Sequence, residues 1–198
     1  ISKDKKGHEL QSREKESRHL DAKKRIARIA LSMIKEHDTI LLDTGTTTME
    51  LAKLLERKTG LTVVTNDLKI ALTLENNSGI NLIFLGGVIR PGFHCSVGFQ
   101  NQELSGCLSV DKAFMAANSF SVDKGASTPD LSQKDAKKTM IGMGDHVIML
   151  CDASKIGKTS FATFATLDDI DTLVTDRIDQ SDRLLLEKQG VSVKLADK

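Results

Sequence analysis

An α/β fold, with a mostly parallel sheet flanked by helices, is predicted by three observations. Strand-like and helix-like stretches alternate through the first half of the chain: Thr39–Leu42, Thr46–Arg57, Leu61–Thr65, a helix opening at Asp67, and Ile80–Leu85. The strands are continuously apolar rather than alternating, as strands covered on both faces must be. Their carboxyl ends are polar and small: Asp43 to Thr48, Thr65-Asn66 and Gly86-Gly87. In sheets of this kind ligands gather at those ends.

Each element has its own reason. Asp21 is expected to cap a helix to about Glu36, with Ile26, Ile29, Ala30, Met33 and Ile34 on one face. After Thr39–Leu42, the run Asp43-Thr44-Gly45-Thr46-Thr47-Thr48 turns into a helix bearing Leu51, Leu54 and Leu55. Leu61–Thr65 is rich in β-formers, Asp67 starts a helix through Ile70, Ala71 and Leu74, and Gly86-Gly87 stops the next strand. Val88–Ser96, with Arg90, Pro91 and Gly92, reads as a loop, and Gln100–Leu108 as a short helix. Then come a strand at Lys112–Ala117, a turn at Asp123-Lys124-Gly125 and a loop from Ser127 to Leu131. A helix over Ser132–Met143, strands at His146–Cys151, Phe161–Phe164 and Thr172–Thr175, a helix Ser181–Gln189 and a strand Val191–Leu195 complete the chain.

Composition excludes several function classes. The 39% apolar and 28% charged fractions are those of an ordinary globular protein. The longest apolar run, Val147 to Cys151, is far too short to span a bilayer, and no membrane partner or export signal is expected. Cys95, Cys107 and Cys151 form no C-x-x-C pair and the five histidines are scattered, so neither a disulfide framework nor a metal site is indicated. Reduced thiols fit a cytoplasmic setting. A net charge of +1, with no Trp or Tyr, gives the 198 residues themselves no nucleic-acid surface. Ten of residues 1–20 are charged, which marks that segment as a linker and 21–198 as the folded unit.

The motifs narrow the chemistry. A strand ending in a glycine turn and feeding a threonine-rich helix start is an oxyanion cradle, because free backbone N–H groups and the helix dipole point outward there. The plainer reading is that Thr46 only caps its helix. Gly157-Lys158-Thr159-Ser160 ends like a P-loop, but Asp152 stands where the first glycine is required, and no G-x-G-x-x-G occurs. Lys155 follows a buried strand and can aim its ammonium at an anionic oxygen, while Arg90 can fork a phosphate; each is otherwise a surface cation. Asp43, Asp123, Asp135 and Asp152 are the carboxylates available for a proton transfer, yet nothing in the sequence pairs any of them with a nucleophile.

Taken together, Asp43–Thr48, Thr65-Asn66-Asp67-Leu68, Leu85-Gly86-Gly87 with Arg90-Pro91-Gly92, Thr128-Pro129-Asp130, and Asp152-x-Ser154-Lys155-x-Gly157 resemble the C-terminal effector domain of DeoR-family transcriptional regulators, in order from about Ala22 to Asp176. The resemblance implies a bacterial regulator of carbohydrate metabolism, usually a repressor, that senses a phosphorylated sugar. It also implies a fold similar to ribose-5-phosphate isomerase and glucosamine-6-phosphate deaminase, a homodimer or homotetramer, and operator DNA read by an N-terminal winged helix-turn-helix absent from these residues. No cofactor and no catalytic residue is expected. The isomerases show Gly-Ala-Asp-Glu where this chain has Ala116-Ala117-Asn118-Ser119, and a carboxamide cannot act as a general base. Phosphate is assigned to Thr44, Gly45, Thr46, Thr47, Thr48, Lys155 and Arg90. The sugar is assigned to Asp43, Thr65, Asn66, Gly86, Gly87, Asn118 and Asp152. The competing expectations are an active sugar-phosphate isomerase and a ligand-free oligomerisation domain.

Overall fold

The computed structural model describes residues 9–98 and 107–196. Seven strands make one parallel sheet: β1 (Thr39–Leu42), β2 (Leu61–Thr65), β3 (Ile80–Phe84), β6 (Lys112–Ala116), β9 (Val147–Leu150), β11 (Thr172–Thr175) and β12 (Ser192–Leu195), in the spatial order β12-β11-β9-β6-β1-β2-β3. All six pairings are parallel. Both faces are covered, which is why these strands are apolar throughout.

Side chains alternate between the two covers. Ile40, Leu42, Val63, Phe114 and Ile148 face α2 (Leu20–Ser32), α3 (Thr46–Leu55) and α4 (Leu68–Leu74). Leu41, Val64, Met115 and Met149 face Met140 of α5 (Leu131–Ile141) and Leu186 of α6 (Gln180–Lys188). A small antiparallel sheet of β10 (Ala162–Ala165), β8 (Gly125–Thr128) and β7 (Ser119–Ser121) packs on this second side through Phe120, Ala126 and Phe164. None of the described helices is long and apolar enough to cross a membrane.

The predicted strands Thr39–Leu42, Leu61–Thr65 and Thr172–Thr175 match, and the other sheet strands match to within a residue or two at each end. Asp67 caps α4 through its carboxylate, which accepts from the Lys69 and Ile70 N–H groups. Three expectations are corrected. Asp21 lies inside the first turn of α2, not at its cap; His19 occupies the cap in a left-handed conformation, and the helix ends at Ser32. Val88–Ser96 is not a loop but a hairpin, β4 (Val88–Arg90) with β5 (Cys95–Val97), closed by Arg90-Pro91-Gly92. Ser127–Leu131 begins as β8 rather than loop. These strands are three or four residues long, too short for hydrophobic alternation to register. The short helix expected over Gln100–Leu108 lies almost wholly outside the described residues.

Part of the segment read as a linker has a defined place. Residues 12–16 form a one-turn helix, α1 (Ser12–Glu16), held against the β4–β5 turn. Ser12 N–H donates to Gly92 O at 3.3 Å, and its hydroxyl donates to Phe93 O at 3.2 Å.

Candidate functional site

Strand order reverses between β1 and β6: from β1 the chain runs outward through β2 and β3, while β6 leads the other way to β9, β11 and β12. The loops leaving β1 and β6 therefore part in opposite directions and open a crevice at the carboxyl ends. A cleft of about 910 Å³ lies there, lined by Thr44-Gly45-Thr46, Ala116 to Ser119, Asp152-Ser154-Lys155, Lys158 to Ser160, Gln133 and Lys137, with Glu9, Lys15 and Lys23 from the N-terminal segment.

Beneath the cleft lies Asp43. It is fully buried at the end of β1, where its Oδ2 accepts from Ala116 N–H at 2.9 Å and from Lys137 Nζ; Lys137 also donates to Ala116 O at 2.9 Å. One ion pair thus ties β1, β6 and α5 together. Burial pushes the Asp43 carboxyl upward, while Lys137 and the Ala116 and Thr44 N–H groups oppose that shift. Thr44 is locked next, its N–H to Asn66 Oδ1 at 3.1 Å and its hydroxyl to Asp67 Oδ2 at 2.7 Å. Gly45 then passes so close to β6 that an added Cβ would sit 2.6 Å from Ala116 Cβ. It is the N-cap of α3, and no side chain caps the helix. The start of α3 therefore faces the cleft with its first N–H groups uncapped.

Basic side chains share the cleft with this helix start. Lys15, Lys23, Lys137 and Lys155 all line the cleft, together with Lys158, Arg18 and His19. Burial, reinforced by repulsion from Lys155, pushes the Lys23 ammonium down to about 8, against the pull of Asp152 and Glu50. Lys15 is likewise lowered by burial and by repulsion from Lys155 and Lys137, which Glu9 opposes. On the far wall Asp152 Oδ1 accepts from Ser154 N–H at 3.1 Å, and Lys155 Nζ lies 3.7 Å from Oδ2. Burial pushes this carboxyl up, but Lys155 and Ser154 outweigh it and hold the group below its ordinary value.

The predicted residues divide into two groups. Thr44, Gly45, Thr46, Asn118, Asp152 and Lys155 line the cleft. Asp43, Thr47, Thr48, Thr65, Asn66, Gly86, Gly87 and Arg90 do not. Thr47 and Thr48 are buried within α3, with Thr48 Oγ1 turned back to Gly45 O at 2.8 Å. Thr65 donates its hydroxyl to Leu42 O at 2.7 Å. Asn66 braces the turn from behind, its Nδ2 donating to Ser96 O at 2.9 Å. Gly86 and Gly87, at φ +64° and +107°, shape the β3–β4 turn, where Gly87 is pressed against the Val97 carbonyl. Arg90 stacks its guanidinium 3.9 Å from the Phe93 ring centroid and pairs with Glu9 and Asp130. Asp43, Thr65 and Asn66 therefore hold the cradle in shape from behind it.

Sequence reasoning missed Lys137, Lys15, Lys23 and Gln133. For Lys137 a signal existed: Gln133, Ala136, Lys137 and Met140 are the buried positions of α5 and share one helical stripe. A lysine inside such a stripe needs a partner. Asp135, on the opposite face, is exposed, as is Asp123. Among the described residues no three His, Cys, Asp or Glu side chains converge as metal ligands would.

An α/β domain with a cationic cleft at its topological switch point is what the geometry defines. The profile of the DeoR C-terminal sensor domain matches residues 18–177, and the chain belongs to that family. An uncharacterized HTH-type transcriptional regulator of Haemophilus influenzae is 38% identical over 77% of this chain and 59% of its own length. The HTH-type transcriptional repressor GlcR of Bacillus subtilis is 33% identical over 89% of this chain and 68% of its own. The chain thus spans about three fifths to two thirds of these relatives. Among solved structures, a D-ribose-5-phosphate isomerase in complex with phospho-erythronic acid superposes with TM-score 0.51 at 20% identity, covering 69% of this chain and 54% of that one. The eIF2B beta subunit of Chaetomium thermophilum does so with TM-score 0.53 at 17% identity, covering 78% and 48%. An enzyme and a translation-factor subunit share the architecture, so the likeness speaks for the fold alone.

Proposed function

We propose that the cleft is the effector site of a sugar-phosphate sensor, and that this domain serves a cytoplasmic transcriptional repressor of carbohydrate metabolism. The observation that carries the reading is that Lys15, Lys23, Lys137 and Lys155 line one cleft with an uncapped helix start. Repulsion from Lys155 adds to burial in lowering Lys23 and Lys15, a cost that an anionic ligand would relieve. The phosphate would rest on Gly45-Thr46 and the first N–H groups of α3, with Lys155 alongside. Asn118, Ser119, Thr159 and Ser160 give the cleft an uncharged polar wall suited to hydroxyls. The GlcR relative, a repressor by name, supports the regulatory role.

A sensor fits better than an isomerase. Proton transfer between sugar carbons needs a positioned base, and a carboxylate lowered by its ion pair is a weaker one. Both lining carboxylates are ion-paired, Asp152 with Lys155 and Glu9 with Lys15 and Arg90. Asn118 stands at the end of β6 and cannot take the proton. Operator DNA would be bound by a helix-turn-helix upstream of residue 1, in a homodimer or homotetramer, with ligand favouring one subunit arrangement.

Isothermal titration against hexose and pentose phosphates, with turnover followed by NMR, tests the reading. Saturable binding without turnover is expected, and Lys155→Ala should weaken it by about tenfold, the loss of one charge-assisted contact. Turnover would replace the sensor by an enzyme, and no binding across the panel would leave an assembly domain.

A further inference from the structure

We propose that Glu9 is a built-in anion that fills part of the cleft, and that an anionic effector binds by displacing it and freeing residues 9–16. The inference rests on the reading of the cleft as an anion-binding effector site. The Glu9 side chain is only 11% exposed and meets donors from three separate elements. Its Oε1 accepts from Lys15 Nζ at 2.7 Å and from Asn118 Nδ2 at 3.0 Å, and its Oε2 accepts from Arg90 Nη2 at 3.1 Å. Of these donors Arg90 and Asn118 stay in place when residues 9–16 leave, and a phosphate or a ligand carboxylate would take them over. Burial pushes the Glu9 carboxyl up, yet Lys15, Asn118 and Arg90 outweigh it, so the group is ionised and charge-matched to such a ligand.

The segment that carries Glu9 is built to leave. The α1 helix has five residues and none is buried. A helix of that length has no stability of its own and holds only through its contacts. Those contacts are polar: Ser12 to the backbone of Gly92 and Phe93, Lys23 Nζ to Lys15 O, and Glu16 to Lys69. Losing the Glu9 cluster removes two further ties at once, those to Arg90 and Asn118. Ligand and segment then compete for Arg90 and Asn118, and by linkage each weakens the hold of the other.

Hydrogen exchange on the whole 198-residue chain, with inorganic phosphate and separately glucose 6-phosphate as probes, tests this. Exchange should slow at Thr46–Thr48 and quicken about fivefold or more across Ser12–Glu16. Glu9→Gln should exchange rapidly over that segment without ligand and bind phosphate about fivefold tighter. Glu75→Gln, which removes the same charge at an exposed position away from the segment, should leave the affinity unchanged. Slower exchange at both places would overturn the proposal, because the segment would then close over the ligand. Equal phosphate affinity of the parent and Glu9→Gln proteins would also overturn it while leaving the effector site standing. If neither probe binds either protein, the effector-site reading itself fails and takes this inference with it.

Discussion

Replacing Lys137 by Met should make the stability of this domain depend steeply on pH, with a size set by Asp43. The two side chains are 3% and 0% exposed, and Asp43 Oδ1 has no hydrogen-bond partner. Without the lysine, the carboxylate keeps the Ala116 N–H bond but loses its counter-charge. Breaking a buried pair from one side costs about 3–5 kcal/mol. The carboxyl can escape by taking up a proton. At about pH 7, neutralising a group whose unfolded pKa is about 3.9 costs about 4 kcal/mol, and at about pH 5 it costs about 1.5 kcal/mol. The penalty is therefore capped near 4 kcal/mol at neutral pH and falls as the solution is acidified. The direction follows from linkage. A carboxyl whose folded pKa lies above its unfolded value binds protons preferentially in the folded state, so the variant gains stability as pH falls through the folded value. Urea unfolding at the two pH values measures it. The expected loss relative to the parent is about 3–4 kcal/mol at neutral pH and about half that or less at pH 5. The double variant Lys137→Met/Asp43→Asn should recover most of the loss. An equal loss at both pH values, or one under about 1 kcal/mol at neutral pH, would refute the account of Asp43 as a buried, lysine-compensated charge.

Three further outcomes follow from the same geometry. Gly45→Ala places a methyl 2.6 Å from Ala116 Cβ and should cost about 1–3 kcal/mol in thermal unfolding while weakening phosphate binding, because the turn must move off β6. Asn66→Ala strips partners from Thr44 N–H and Ser96 O; it should destabilise by about 1–3 kcal/mol and raise the Kd for a sugar phosphate in titration, although Asn66 does not line the cleft. With a thiol reagent and mass spectrometry, exposed Cys107 should be modified in the native protein. Buried Cys151, whose thiol burial pushes up to about 12, should react only after unfolding.

The legible part of the fold was the part governed by local chemistry. Apolar runs bounded by glycine and capping residues located the parallel strands, and Asp67 announced its helix because an N-cap is a contact over two or three residues. What escaped was short or long-range. The β4–β5 hairpin holds because Asn66 and Ser96 bond across thirty positions of chain, and no local pattern in Val88-Ile89-Arg90 reports that.

Within the site, the sequence by itself determined the chemistry of the cradle: a glycine turn, hydroxyls and a helix start after β1, with a lysine after β9. It also set the absence of a base at Asn118. Only the tertiary structure decided which polar residues face the cleft. Thr48, Thr65 and Asn66 have the composition of binding residues, but their hydrogen bonds go to Gly45, Leu42, Thr44 and Ser96, so they shape the turn rather than line the cleft. Lys15, Lys23 and Lys137, unremarkable in a chain with 28 basic residues, become the charge of the site because folding carries them to one place. Binding chemistry is written in residue types; its location depends on which groups the backbone has already claimed.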